Sequence, residues 1–181
     1  SGREHTPGNF TGAEGLLRNL AELPSGASLA AKPPQTPILL DWQQQFSCGV
    51  DLFKQRQLLL AEKCFAAALV LAQQSSAGST QQGSTLSSLS AVLLEQGRIA
   101  EAERAAVAGV NTFRQCGAGN CEFGLAKGIQ NLALIYRQQN RRFEAEKLLT
   151  EALGLYKRLG GRTPAAEVLN TLGWLELDRN R

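Results

Sequence analysis

Three stretches of this sequence fall into step when one alanine of each is superimposed, and that recurrence restricts the chain to folds built by stacking like units. The reference positions are Ala61, Ala102 and Ala145, 41 and 43 residues apart. At +4, +7 and +11 follow Phe65, Ala68 and Ala72; Ala106, Gly109 and Phe113; and Leu149, Ala152 and Tyr156. Those offsets share one face of a helix, and small residues along it let a second helix approach closely. Thirteen residues before each alanine stand Cys48, Leu89 and Leu132. Small residues come next (Gly49, Ser90, Ala133), and Leu52, Leu93 and Tyr136 lie three further on. A fourth copy opens with Leu172 and Gly173 in "LNTLGWLELDRNR".

Around these landmarks the chain from Trp42 to Pro164 is free of internal proline, and its apolar positions recur at helical spacing. Breaks at residues 75–84, Gly97, "CGAGNC", Asn140 and "LGGRTP" predict seven helices near 42–55, 57–75, 83–96, 98–115, 122–139, 141–159 and 164–178. Thr163 and Pro164 are expected to cap and start the last. The repeats therefore run near 42–82, 83–125 and 126–165, with a terminal helix at 164–179. Within each pair the connection is one or two residues, so paired helices fold back antiparallel. Residues 1–40 differ. They hold five of the six prolines and read as a flexible Pro/Gly/Ser-rich segment. It is interrupted near 13–23 by a short amphipathic helix whose Leu16, Leu17, Leu20 and Leu23 form a stripe suited to docking on an apolar surface.

An adjacent large and small residue, a leucine or aromatic three later, then alanine, aromatic and alanine in a second helix: this pattern resembles the tetratricopeptide repeat. The period of about 42 residues, with "GIQNLALIY" and "AEVLNTLGWL" opening helices, is most similar to the repeats of kinesin light chains and the Pins/LGN polarity proteins. The resemblance implies an all-α fold, an α-solenoid of helix-turn-helix units wound into a right-handed superhelix. It also implies a non-enzymatic adaptor that takes a peptide or short helix of a protein partner in a concave groove. Residues beside the buried ridge of the first helices are the candidate groove: Val50 with Phe46; Ser88 with Ser84 and Ser87; Lys127, Gln130, Asn131, Leu134 and Arg137; and Asn170, Thr171 and Trp174. Asn131 matches the groove asparagine with which those families hold a ligand backbone, and Asn170 lies one place from the equivalent position. Co-chaperones of the same family clamp a terminal carboxylate with lysines, asparagines and an arginine. Phe46, Val50 and Ser88 occupy three of those places here and only Lys127 fits, so a receptor for chaperone tails is not expected.

Other chemistry has little material. His5 is the only histidine, and no Gly-rich phosphate loop occurs, so no catalytic residue, metal or cofactor is expected. A net charge of +3 without a basic block argues against nucleic acid, and no apolar run is long enough for a membrane helix. The chain starts Ser-Gly and contains no methionine, as a processed or excised segment would. A cytoplasmic location is the expectation, or an organellar one if a targeting segment has been removed. Cys48 and Cys64 sit at repeat positions and read as small buried hydrophobes. Cys116 and Cys121 bracket a Gly-rich turn and admit two states, reduced idle thiols or a redox-formed staple. Arg137, Arg141, Arg142 and Lys147 make the densest basic patch. Two other functions stay open: self-association through the uncapped C-terminal helix, and redox-switched regulation.

Overall fold

The computed structural model describes residues 41–75, 78–116 and 121–179. Among the described residues seven helices follow one another: α1 (Trp42–Lys54), α2 (Leu58–Gln74), α3 (Gly78–Glu95), α4 (Ile99–Gln115), α5 (Glu122–Gln138), α6 (Arg142–Arg158) and α7 (Arg162–Arg179). No strand occurs among the described residues. The leucine stripe of 16–23 lies outside them.

Four of the helix ends are built alike. After α1, α3, α5 and α6 one residue turns left-handed, Arg56, Gly97, Asn140 and Gly160, with φ of 61°, 77°, 62° and 70°. The next residue's N–H then reaches back five residues to the helix: Gln57 to the Leu52 carbonyl, Arg98 to Leu93, Arg141 to Tyr136 and Gly161 to Tyr156, each at 2.9 Å. This 6→1 bond satisfies a carbonyl the helix would leave orphaned and turns the chain sharply. α1 is secured at its start by a reciprocal cap, in which Asp41 Oδ1 accepts from the Gln44 N–H and Gln44 Oε1 from the Asp41 N–H.

Two boundaries differ from the sequence expectation. α3 starts at Gly78 rather than near 83, because its polar first turns contain no proline and find partners: Gly83 lies under the Phe113 ring, and Thr80 Oγ1 is 3.2 Å from Cys121 Sγ. α7 starts at Arg162, with the Gly161 carbonyl accepting from the Ala165 N–H. Pro164 thus sits inside the first turn, where its missing N–H goes unneeded.

Successive helices pack as antiparallel pairs, and α3 also touches α1 and α5. No comparable contact joins α2 to α4 or α4 to α6. The first helices α1, α3 and α5 thus form an inner row and the second helices an outer one, the arrangement of a stacked helical solenoid, while α7 packs chiefly on α6. The aligned positions form its core. Ala61, Ala102, Ala145, Phe65, Ala106, Leu149, Ala68, Ala152, Ala72, Phe113 and Tyr156 are all buried, as are Leu89, Ser90, Leu132 and Ala133. Small residues permit the close crossings. A Cβ on Gly109 of α4 would lie 3.3 Å from the Gly83 carbonyl of α3, and one on Gly49 would lie 2.7 Å from the Phe65 ring. The first copy departs from the pattern: Cys48 is exposed and Cys64 half-buried, not the buried pair expected, because no described pair precedes α1 to cover it.

Candidate functional site

The inner row opens a recess of about 340 Å³ between α1, α3 and α5. Phe46 forms one wall. It stacks on Trp42 with ring centres 4.9 Å apart and meets Phe65 edge-on at 5.6 Å, while Trp42 Nε1–H donates to Thr85 Oγ1 at 2.9 Å and so fixes α1 on α3. α3 contributes Thr80, Ser84, Ser87 and Ser88, offsets that place four hydroxyls on one face. Phe113 comes from the end of α4, and Phe123, Gly124 and Lys127 from the first turns of α5.

Phe113 is the spacer of this site. Its ring fits against Gly83 on one side and Gly124 on the other, and a side chain at either would collide with it. Phe123, half exposed, packs edge-on to Tyr156 at 5.6 Å. Lys127 is exposed and joins no ion pair among the described residues. The Ser87 Oγ is buried without a hydrogen-bond partner among the described residues. The recess therefore offers apolar walls, hydroxyls and one uncompensated cation, a combination suited to an apolar group carrying a nearby carboxylate.

The residues expected to line the groove divide into four groups. Lys127 and Ser88 meet in the recess, together with Phe46, Ser84 and Ser87. Val50, Gln130 and Asn131 serve the array itself. Val50 packs on the core, Gln130 Oε1 accepts from the Tyr156 hydroxyl at 3.1 Å, and Asn131 Nδ2 donates to the Ser87 carbonyl at 3.1 Å, bracing α5 on α3. Leu134 is half-buried and Arg137 exposed further along α5. Asn170, Thr171 and Trp174 lie on α7 and do not line the recess; the Thr171 hydroxyl donates to the Glu167 carbonyl. Cys116 and Cys121 are joined as a disulfide, their Cα atoms 6.2 Å apart, linking the end of α4 to the cap of α5 beside Thr80.

Two polar clasps escaped the sequence reading. At the turn before α4, Arg98 donates to Glu62, Gln96 and Glu101, while the Gln96 amide donates to Glu62. At the turn before α6, Arg141 does the same with Glu103, Gln139 and Glu144, and Gln139 donates to Glu103. Each clasp ties a second helix to the turn of the next pair. Glu62 and Glu103 both directly follow a reference alanine, and Q-x-R-x-x-E recurs 43 residues apart, so a signal was present. The Gln139 amide, then Arg141, hold the Glu103 carboxyl below its ordinary value. Arg141 also lies 3.7 Å over the Tyr136 ring, so this member of the basic patch is committed within the fold, while Arg137 and Lys147 are exposed. Burial, then Glu167, pushes the Tyr156 phenol up to about 12.

Among the described residues no group of three or more metal-binding side chains occurs, and no helix is long and apolar enough to cross a membrane. The family model described as tetratricopeptide repeat matches residues 125–163, which span α5 and α6 with the turn between them. No curated protein matches the chain.

Proposed function

From the premise that the chain is a tetratricopeptide-repeat protein, and hence a protein-interaction module, we propose that it is a non-enzymatic adaptor holding a peptide of its partner along the inner row. The observation that carries this is the recess itself, with three aromatic rings, a row of hydroxyls and Lys127, which has no ion-pair partner among the described residues. An apolar side chain of the peptide enters between Phe46, Phe113 and Phe123. A carboxylate on the same peptide meets Lys127, and hydroxyls of α3 serve its backbone. Asn131 contributes by holding α3 against α5, and Asn170, Thr171 and Trp174 extend the row beyond the recess.

Peptides selected from a random display library on the immobilised chain test this. Phe123→Ala and Lys127→Ala should each weaken the selected peptides about tenfold or more, with Trp174→Ala a milder change. Unchanged affinity in both recess variants would sink the reading.

A second reading, self-association, is favoured by α7, where Leu169, Trp174 and Leu177 are each more than half exposed. Sedimentation of the chain over a hundredfold concentration range separates the two. A mass that rises with concentration and is restored to the monomer by Trp174→Glu supports association; a constant monomer mass excludes it.

A further inference from the structure

The first helical pair carries a second cysteine pair with no part in the recess. Cys48 on α1 and Cys64 on α2 face each other across the antiparallel pair, their Sγ atoms 2.7 Å apart. That separation is closer to the roughly 2.05 Å of a disulfide than to the roughly 3.5–4.0 Å of ordinary non-bonded contact. In the second and third copies the same two positions hold Leu89 with Ala105 and Leu132 with Leu148. There Leu89 and Leu132 are buried. No described pair precedes α1, and here Cys48 is exposed while Cys64 is half-buried. The arrangement is that of an attacking thiol at the surface and a resolving thiol beneath it.

We propose that Cys48 and Cys64 form a dithiol site that reacts with a small-molecule disulfide of the glutathione class and closes into a cross-link between α1 and α2. The Cys48 thiolate attacks one sulfur of oxidised glutathione, its S–S bond breaks, and one glutathione thiolate leaves. The Cys64 thiol, deprotonated as it reacts, then attacks Cys48 Sγ in the mixed disulfide and expels the second glutathione thiolate. Two protein thiols lose two electrons and two protons, and one glutathione disulfide becomes two glutathiones. The order of attack follows from access and from acidity. Burial, then the neighbouring Cys48 thiol, pushes Cys64 up to about 11, so Cys64 is a poor first attacker near neutrality.

Tryptic mapping reads this directly, because cleavage at Lys54 and Lys63 puts the two cysteines on separate peptides, 19–54 and 64–98. Cys116 and Cys121 stay together on peptide 115–127, so their disulfide joins no two peptides. The full chain is reduced, freed of reductant, incubated with oxidised glutathione, blocked with an alkylating agent and digested without reduction. The expected product is peptide 19–54 joined to 64–98 in most molecules. Cys64→Ser should trap glutathione on Cys48. In Cys48→Ser, glutathione should add to Cys64 at least tenfold more slowly than it adds to Cys48 in the other variant. Separate alkylated peptides, or stable glutathione adducts on both cysteines of the wild-type chain with its helical circular dichroism intact, would overturn the proposal.

Discussion

α3 and α7 are both first helices of a unit and both 18 residues long, yet they are used in opposite ways. α3 buries Thr85, Leu86, Ser87, Leu89, Ser90, Val92 and Leu93, whereas the described side chains of α7 bury only Val168 and Leu175. Hydroxyls are thus enclosed in the middle of the array while Trp174 and Leu177 stay at the surface of α7. Composition does not set this difference; position in the stack does. α3 is packed by α1, α2, α4 and α5, and α7 chiefly by α6. Two of the three buried hydroxyls are accommodated locally, Thr85 donating to the Gln81 carbonyl and Ser90 to the Ser87 carbonyl, while the Ser87 hydroxyl finds no partner among the described residues.

The contrast breaks most visibly at its aromatic residues. Phe113→Ala empties the space between α3 and α5 and should cost about 3–5 kcal/mol, while Trp174→Ala should stay within about 0.5 kcal/mol. Urea midpoints of the two variants measure it; similar losses would mean that α7 is packed as tightly as the middle of the array.

The clasps sharpen the same comparison. Glu62, Glu103 and Glu146 each directly follow a reference alanine, but Glu62 is buried and clasped, Glu103 is clasped and partly exposed, and Glu146 is exposed. Glu62→Ala leaves Arg98 short of a partner and should cost about 2–3 kcal/mol, with Glu146→Ala near zero. Glu103 adds a pH signature. Because its folded-state carboxyl lies below the ordinary value of 4.5, its contribution is present above that value and is lost as pH falls through the lower folded value. Denaturation midpoints at pH 7 and about pH 3 should therefore converge in Glu103→Gln relative to the wild type.

The smallest effect lies in the turns. Arg56 holds a left-handed conformation that Gly97 and Gly160 adopt freely, and its ion pair with Glu95 is largely exposed. Arg56→Gly should raise stability by about 0.5–1 kcal/mol and Gly97→Ala lower it by about 1 kcal/mol. Asn140→Gly should do less than either, since asparagine tolerates this conformation. Thermal melts of the three variants rank them.

How far the sequence could be read follows from which interactions leave a periodic trace. Close helix crossings demand small residues at fixed offsets, so Ala61, Ala102 and Ala145 disclosed the pairs and their core face. The clasps use Gln, Arg and Glu, residues that any solvated helix start also carries, and only their recurrence at 43 residues distinguishes them. Phe113 was legible as a core filler but not as a wall of the recess, and Phe123 stands outside the aligned positions altogether. Asn131 was legible as a groove amide, yet a hydrogen bond to a carbonyl 44 residues away depends on the tilt of α5 against α3. No local pattern encodes that tilt.

The place of Phe113 ties the recess to the mechanics of the whole array. The ring is at once a wall of the recess and the spacer between α3 and α5, so any occupant of the recess presses on a joint between two units. Thermodynamic linkage then applies: an occupant at a hundred times its dissociation constant adds about 2.7 kcal/mol to the folded state. The coupling is reciprocal. Substitutions in the outer row that loosen the seating of α4, with no atom near the recess, therefore lower affinity, by at most the free energy with which the occupant holds that joint closed.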